Sequence, residues 1–158
     1  MLLNYRISYG LPIKCLEAVL VGAFLSTSIR GLDRIPLAFK SECNKIEYRH
    51  IVLVCRCNSI WGALGLSRKP DLMYKPLIFN SLMDLIKNYI DSYHRYGHKV
   101  LKIKIGLPIQ SDHTSNEEIT WKFASIDTVL GDVHFINWTS SSVYLDIENY
   151  VKKVRMHH

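Results

Sequence analysis

Apolar residues recur along positions 82–93 at steps of three and four, as Leu82, Leu85, Ile86, Tyr89, Ile90 and Tyr93, which is the spacing of one face of an α-helix. Ser81 offers a side-chain oxygen to the first unpaired N–H groups, and Gly97 can take the left-handed conformation that ends a helix. A second helical spacing, Leu16, Val19, Leu20, Ala23 and Phe24, starts near Lys14 behind Gly10-Leu11-Pro12 and stops at positions 26–28 and Gly31. Ala18, Val21 and Gly22 fill its other sides, so this helix is expected to be covered nearly all round, as central helices are. It carries Glu17 and falls well short of the roughly 20 apolar residues of a membrane span. Neither a transmembrane segment nor a targeting signal is expected, although unconventional secretion leaves no such mark.

Strand patterns occupy much of the rest. After a loop through Pro36, the stretch 49–55 is rich in β-branched and apolar residues, and 61–66 follows across Asn58-Ser59, a pair suited to a tight turn. The two would pair as an antiparallel hairpin with His50, Val52 and Val54 on one face. Leu101, Ile103 and Ile105 alternate with Lys102 and Lys104, and Ile119, Trp121 and Phe123 alternate with Thr120 and Lys122, giving two more half-exposed strands. Residues 151–158 suit a short basic helix. The order predicts an α+β fold in which one antiparallel sheet packs on the helix that starts at Cys15.

A chain of 158 residues fits a single domain. Its 48% hydrophobic and 22% charged content, with no repeat, excludes a disordered or fibrous protein. The formal charge of +6 favours acidic partners, whether nucleic acid, an acidic peptide or an anionic surface, and does not choose among them. A nucleic-acid binder would interleave aromatic with basic residues on an exposed sheet face, and no aromatic stands between Lys102 and Lys104, so no nucleic acid is expected as partner. The four cysteines, Cys15, Cys43, Cys55 and Cys57, form no CxxC, which suits reduced thiols in the cytoplasm. Cys55-Arg56-Cys57 lacks further ligands at metal-site spacing, so no metal and no other cofactor is expected.

The candidate chemistry begins at Cys15. A cysteine at the first turn of a helix meets the positive end of the macrodipole and unpaired N–H groups, and Lys14 adds a positive charge beside it. The same N–H groups can receive the oxyanion formed when a thiolate attacks a carbonyl. His50, and Ser67 at the end of the partner strand, stand side by side if the hairpin turn is tight, which supplies a base and a group to orient it. A neutral hydroxyl would contribute orientation more than charge. The alternative is that Cys15 is a small buried hydrophobe, His50 a strand residue bonded to main chain, and Lys14 and Arg68 solvated charges.

The residues also match a family pattern. Leu11-Pro12-Ile13-Lys14-Cys15-Leu16-Glu17-Ala18-Val19, then Tyr48-Arg49-His50-Ile51-Val52-Leu53, then Gly62-Ala63-Leu64-Gly65-Leu66-Ser67-Arg68 followed by Asp71-Leu72-Met73-Tyr74-Lys75-Pro76, closely resemble the vasohibins. Weaker likeness continues through 99–104 and 115–127, so the family-like core spans 11–127, between a lead-in segment, 1–10, and a divergent segment, 128–158. The resemblance implies a transglutaminase-like, papain-like cysteine protease fold. It also implies a carboxypeptidase that removes the C-terminal tyrosine of α-tubulin with a Cys, His, Ser triad, which falls on Cys15, His50 and Ser67. In that family the lysine before the nucleophile and the arginine after the serine hold the carboxylate of the departing residue; here these are Lys14 and Arg68. A planar arginine fork with a lysine suits a free terminal carboxylate, and a basic surface suits a glutamate-rich tail.

Two departures qualify the match. Vasohibins carry a helical region before the nucleophile that contributes a tyrosine to the active site and most of the groove for a small vasohibin-binding protein, and this chain has ten residues there, as expected of a fragment or a reduced relative. After Asp127, positions 131–144 read as an insertion or a replaced segment, and the long basic tail of the family is not evident. The rival expectation is a catalytically silent tubulin- or microtubule-binding relative.

Overall fold

The computed structural model describes residues 14–106, 108 and 109, and the backbone of 123–127. Helix α1 spans Cys15–Leu25, and the chain then forms strands β1 (Asp33–Cys43), β2 (Ile46–Cys57) and β3 (Ile60–Gly65). A short 3-10 turn, Pro70–Leu72, leads to β4 (Lys75–Phe79), helix α2 (Leu82–Arg95), β5 (Lys99–Gly106) and β6 (Phe123–Asp127). The six described strands form one sheet in the order β4-β3-β2-β1-β5-β6, every neighbouring pair antiparallel. The α+β class expected from the sequence is therefore observed. The strand pattern at 119–122, the closing helix at 151–158, the lead-in segment and the stretch 131–144 lie outside the described residues.

The two helices cover opposite faces of the sheet. On one, Val52 and Val54 join Ile35, Leu37, Phe39, Ile103 and Ile105 beneath Leu85, Ile86, Tyr89, Ile90 and Tyr93 of α2 in one continuous core. On the other, Leu53 and Cys55 meet Val19 and Ala23 of α1. Residues 52–55 are thus buried in succession because alternate side chains of β2 face alternate helices. Helix α2 behaves as its spacing requires: the Ser81 hydroxyl accepts the Asp84 N–H at 3.0 Å, and Gly97, at φ 71, lets the His98 N–H reach the Tyr93 carbonyl at 3.0 Å.

Helix α1 departs from expectation. Its sheet-facing side is covered, yet Leu16, Phe24 and Leu25 are 48, 56 and 67% exposed, so among the described residues its outer side is open rather than central. Strand β1 stands where the sequence predicts a loop through Pro36, a residue that cannot donate to a ladder. Pro36 lies just past the ladder with β5, whose first pair is Leu37 with Ile105, so a missing N–H breaks no pair there. Strand β4 was also unexpected, its five residues being too few to show a period.

Both tight hairpins place non-glycine residues at positive φ, Asn44 and Lys45 at 51 and 63°, Asn58 and Ser59 at 48 and 66°. These values match the type I′ turns that follow strand twist, in which the second residue is most comfortable as glycine. Ser59→Gly is expected to raise stability by up to about 1 kcal/mol, read from the urea midpoint. At Gly62 an added Cβ would stand 2.8 Å from the carbonyl oxygens of both Lys75 and Pro76, where β3 and β4 shift register. Backbone oxygens cannot swing aside, so Gly62→Ala should cost about 1–3 kcal/mol in the same measurement.

Candidate active site

Lys14 caps α1 with extended backbone, and Glu17 stabilises the first turn by accepting the Lys14 N–H at 2.9 Å. Cys15 is therefore the first helical residue, a half-buried free thiol beside the N–H groups of the first turn. Its place agrees with the sequence-based expectation; Lys14 itself points into solvent. Cys55, by contrast, is buried under α1, and its thiol is pushed up to about 11 by loss of solvent, with the charge of Arg34 opposing. A thiol so held has little thiolate character. Among the described residues no group of three or more His, Cys, Asp or Glu is arranged to hold a metal ion.

His50 is half-buried on β2, opposite Phe39 of β1, and shares the α2 face with Val52 and Val54. The body of α1 packs on the other face. Strand β3 ends at Gly65, the partner of Val52, so among the described strands that edge of β2 is unpaired beyond it, next to His50. The Tyr93 phenol is pushed upward, first by burial and then by electrostatic interaction with Cys15, and the Tyr93 ring packs 5.3 Å from that of Phe39, the cross-strand partner of His50.

The imidazole is oriented by main chain. Nε2 of His50 lies 2.8 Å from the Leu72 carbonyl oxygen. A carbonyl only accepts, so Nε2 is the protonated nitrogen and Nδ1 carries the lone pair in the neutral ring. Ser67 does not make this contact. The β2–β3 register, Val52 with Gly65, would set Ser67 across from His50 if carried two residues further, but the ladder stops and the Ser67 hydroxyl instead accepts the Lys69 N–H at 3.1 Å. No hydrogen bond joins Cys15, His50 and Ser67 to one another among the described residues. Arg68 follows, exposed, so both basic residues expected to hold a carboxylate are free to move in solvent.

A histidine bonded to main chain is what the alternative reading of the sequence expected, and that bond is observed; no pattern of side chains could have marked Leu72 as the acceptor, since every residue carries a carbonyl. The turn that presents it closes by its own hydrogen bonds, Leu72 N–H to Lys69 O at 3.0 Å and Met73 N–H to Pro70 O at 3.1 Å. Behind it Lys75 is buried, its Nζ 3.3 Å from the Ser92 hydroxyl and 5.0 Å above the Tyr89 ring. Burial pulls the ammonium below its usual value while Asp71 opposes.

The chain is an α+β domain that carries a half-buried cysteine at a helix start and a carbonyl-oriented histidine on its sheet. The family model described as Vasohibin matches residues 5–153. Tubulinyl-Tyr carboxypeptidase 1 of Mus musculus is 44% identical over 118 residues, 75% of this chain and 32% of the relative. The chain belongs to the vasohibin family, and it spans about a third of the length of that curated relative.

Burial holds the His50 imidazole below its usual value, the Leu72 bond partly opposing, and His98 is lowered in the same direction by burial and by the charge of Lys69. A histidine depressed in the folded state leaves the native protein with fewer protons than the unfolded chain. Its contribution is therefore complete above the unfolded value and is lost as pH falls through that value toward the folded one. Urea unfolding should show a lower midpoint at about pH 5.5 than at about pH 7.5, and His50→Gln should reduce the difference.

Proposed function

We propose that this chain carries the thiol carboxypeptidase centre of a vasohibin, removing the C-terminal tyrosine from the acidic tail of α-tubulin. The observation that carries the proposal is the bond from His50 Nε2 to the Leu72 carbonyl, because it leaves Nδ1 as the base. Its support is the name and 44% identity of the mouse relative, together with a free cysteine at the start of α1. One sheet with the nucleophile helix on one face is also the arrangement expected of a transglutaminase-like protease.

In this mechanism His50 Nδ1 takes the Cys15 proton and the thiolate attacks the last peptide carbonyl of the tail. Unpaired N–H groups at the start of α1 receive the developing oxyanion. The imidazolium returns its proton to the departing amine, tyrosine leaves, and water activated by His50 hydrolyses the thioester and frees the shortened tail. Leu72 keeps the ring in its tautomer, and Ser67 borders the site as the third side chain. Lys14 and Arg68 grip the carboxylate of the departing tyrosine, a group that an endopeptidase would never meet.

The net charge of +6 would speed capture of an acidic tail in a salt-sensitive way. A tubulin substrate sets the work in the cytoplasm on microtubules. Among the described residues no helix is long and apolar enough to cross a membrane, which says nothing of strands. A small vasohibin-binding protein is the expected helper.

The test is mass spectrometry of a peptide ending Glu-Glu-Tyr, incubated under reducing conditions with and without such a helper. Loss of one tyrosine is expected, abolished by Cys15→Ala. Arg68→Ala should raise KM roughly ten- to a hundred-fold, the worth of a charge-assisted bond. Turnover that survives Cys15→Ala would remove the assignment. An intact peptide that still binds the folded protein would instead favour a catalytically silent tubulin-binding relative.

A further inference from the structure

We propose that Tyr89 is a positioning residue for His50, its hydroxyl acting through the main chain of Met73 and Leu72. This rests on the reading of Cys15 and His50 as a thiolate and its base. The carbonyl that orients His50 belongs to the Leu72–Met73 peptide group, whose nitrogen end donates to Pro70 O at 3.1 Å. The next peptide group along is held by Tyr89, whose hydroxyl donates to the Met73 carbonyl at 2.9 Å. Besides the bond to His50, the plane before Met73 is held by Pro70, and the plane after it by Tyr89. The first is local and shapes the turn; the second comes from α2 and sets where the turn stands against the sheet.

Leu72 packs in the core with α2, and the other polar ties between this turn and the end of α2 are at the surface. Arg95 and the Tyr96 hydroxyl reach Asp71 at 3.3 and 3.4 Å, with the Arg95 and Asp71 side chains about half exposed, and Lys69 lies 4.9 Å from the Tyr96 ring. Water competes for such contacts. Tyr89 is 0% exposed, so its bond is the sheltered one. Its ring also packs 5.3 Å from that of Phe39, the residue opposite His50, so one side chain supports both the histidine's strand and its hydrogen-bond acceptor. Burial pushes the phenol upward, chiefly by desolvation, so it remains a protonated donor throughout the working range of the site.

Tyr89→Phe keeps the ring and deletes the donor. The charged and titratable groups around this corner are Lys75 from β4, Asp71 from the turn, Tyr93 and Arg95 from α2, His98, Cys55 from β2 and Cys15 from α1. All are unchanged by that substitution. The experiment is NMR of the full chain with 15N-labelled histidine, run beside turnover of the tyrosine-ended peptide.

Tyr89→Phe is expected to shift the His50 ring resonances and move its titration to lower pH, because a looser Leu72 carbonyl supports the imidazolium less. The kcat should fall roughly five-fold with little change in KM. Unmoved His50 resonances in a folded but less heat-stable Tyr89→Phe protein would make Tyr89 a packing residue and overturn the proposal. If Tyr89→Phe does not fold, 3-fluorotyrosine at position 89 keeps the hydroxyl as a stronger donor. The His50 titration must then rise, and an unchanged value overturns the proposal equally. Turnover surviving Cys15→Ala would instead defeat the assignment of the couple, and the NMR arm would still decide the link from Tyr89 to His50.

Discussion

Residues 52–55 of β2 are buried in unbroken succession, and the rest of the fold is arranged around that constraint. A strand apolar on both faces must be covered on both. Val52 and Val54 demand α2, Leu53 and Cys55 demand α1, and the chain supplies each helix from a different side of the hairpin in sequence. Burying a large apolar side chain is worth about 1.5–3 kcal/mol, so neither helix can lift away without exposing part of this strand. The candidate chemistry sits where the constraint relaxes, two residues before the buried run, at the edge that β3 leaves open.

The cysteine starts α1, packed on one face of the sheet, the histidine of β2 shares the opposite face, and the proposed function requires them to meet at its edge. A helix covering β2 and β3 can bring its first residue to the open edge, while the side chain on β2 leans toward the turn that follows β3. A helix holds Cys15 and a strand holds His50, and a short 3-10 turn holds the acceptor of the imidazole. That turn is fastened from behind by α2, which gives the larger core a direct mechanical relation to the imidazole.

Charges near the site are divided by exposure. Lys14 and Arg68 are exposed, where a long side chain can adjust to an incoming carboxylate. Lys75 is buried, tied to Ser92 and the Tyr89 ring, and stiffens the segment behind the Leu72 carbonyl. The proposed function gives the exposed pair the task of capture, while the buried lysine supplies rigidity.

The sequence by itself determined the α2 helix with both its ends, the hairpin turn at Asn58-Ser59, the helix start at Cys15, the α+β class and the family, since these depend on local spacing, capping chemistry and residue identity. Only the tertiary structure decided that Pro36 lies within a strand, that α1 is open on its outer side, and that His50 is held by the Leu72 carbonyl while Ser67 turns to Lys69. A proline is tolerated where a neighbouring ladder ends, a helix face is covered only if something reaches it, and a main-chain acceptor is chosen by position and not by residue type. None of these is a property of a residue or of its near neighbours in sequence; each depends on where distant parts of the chain come to rest.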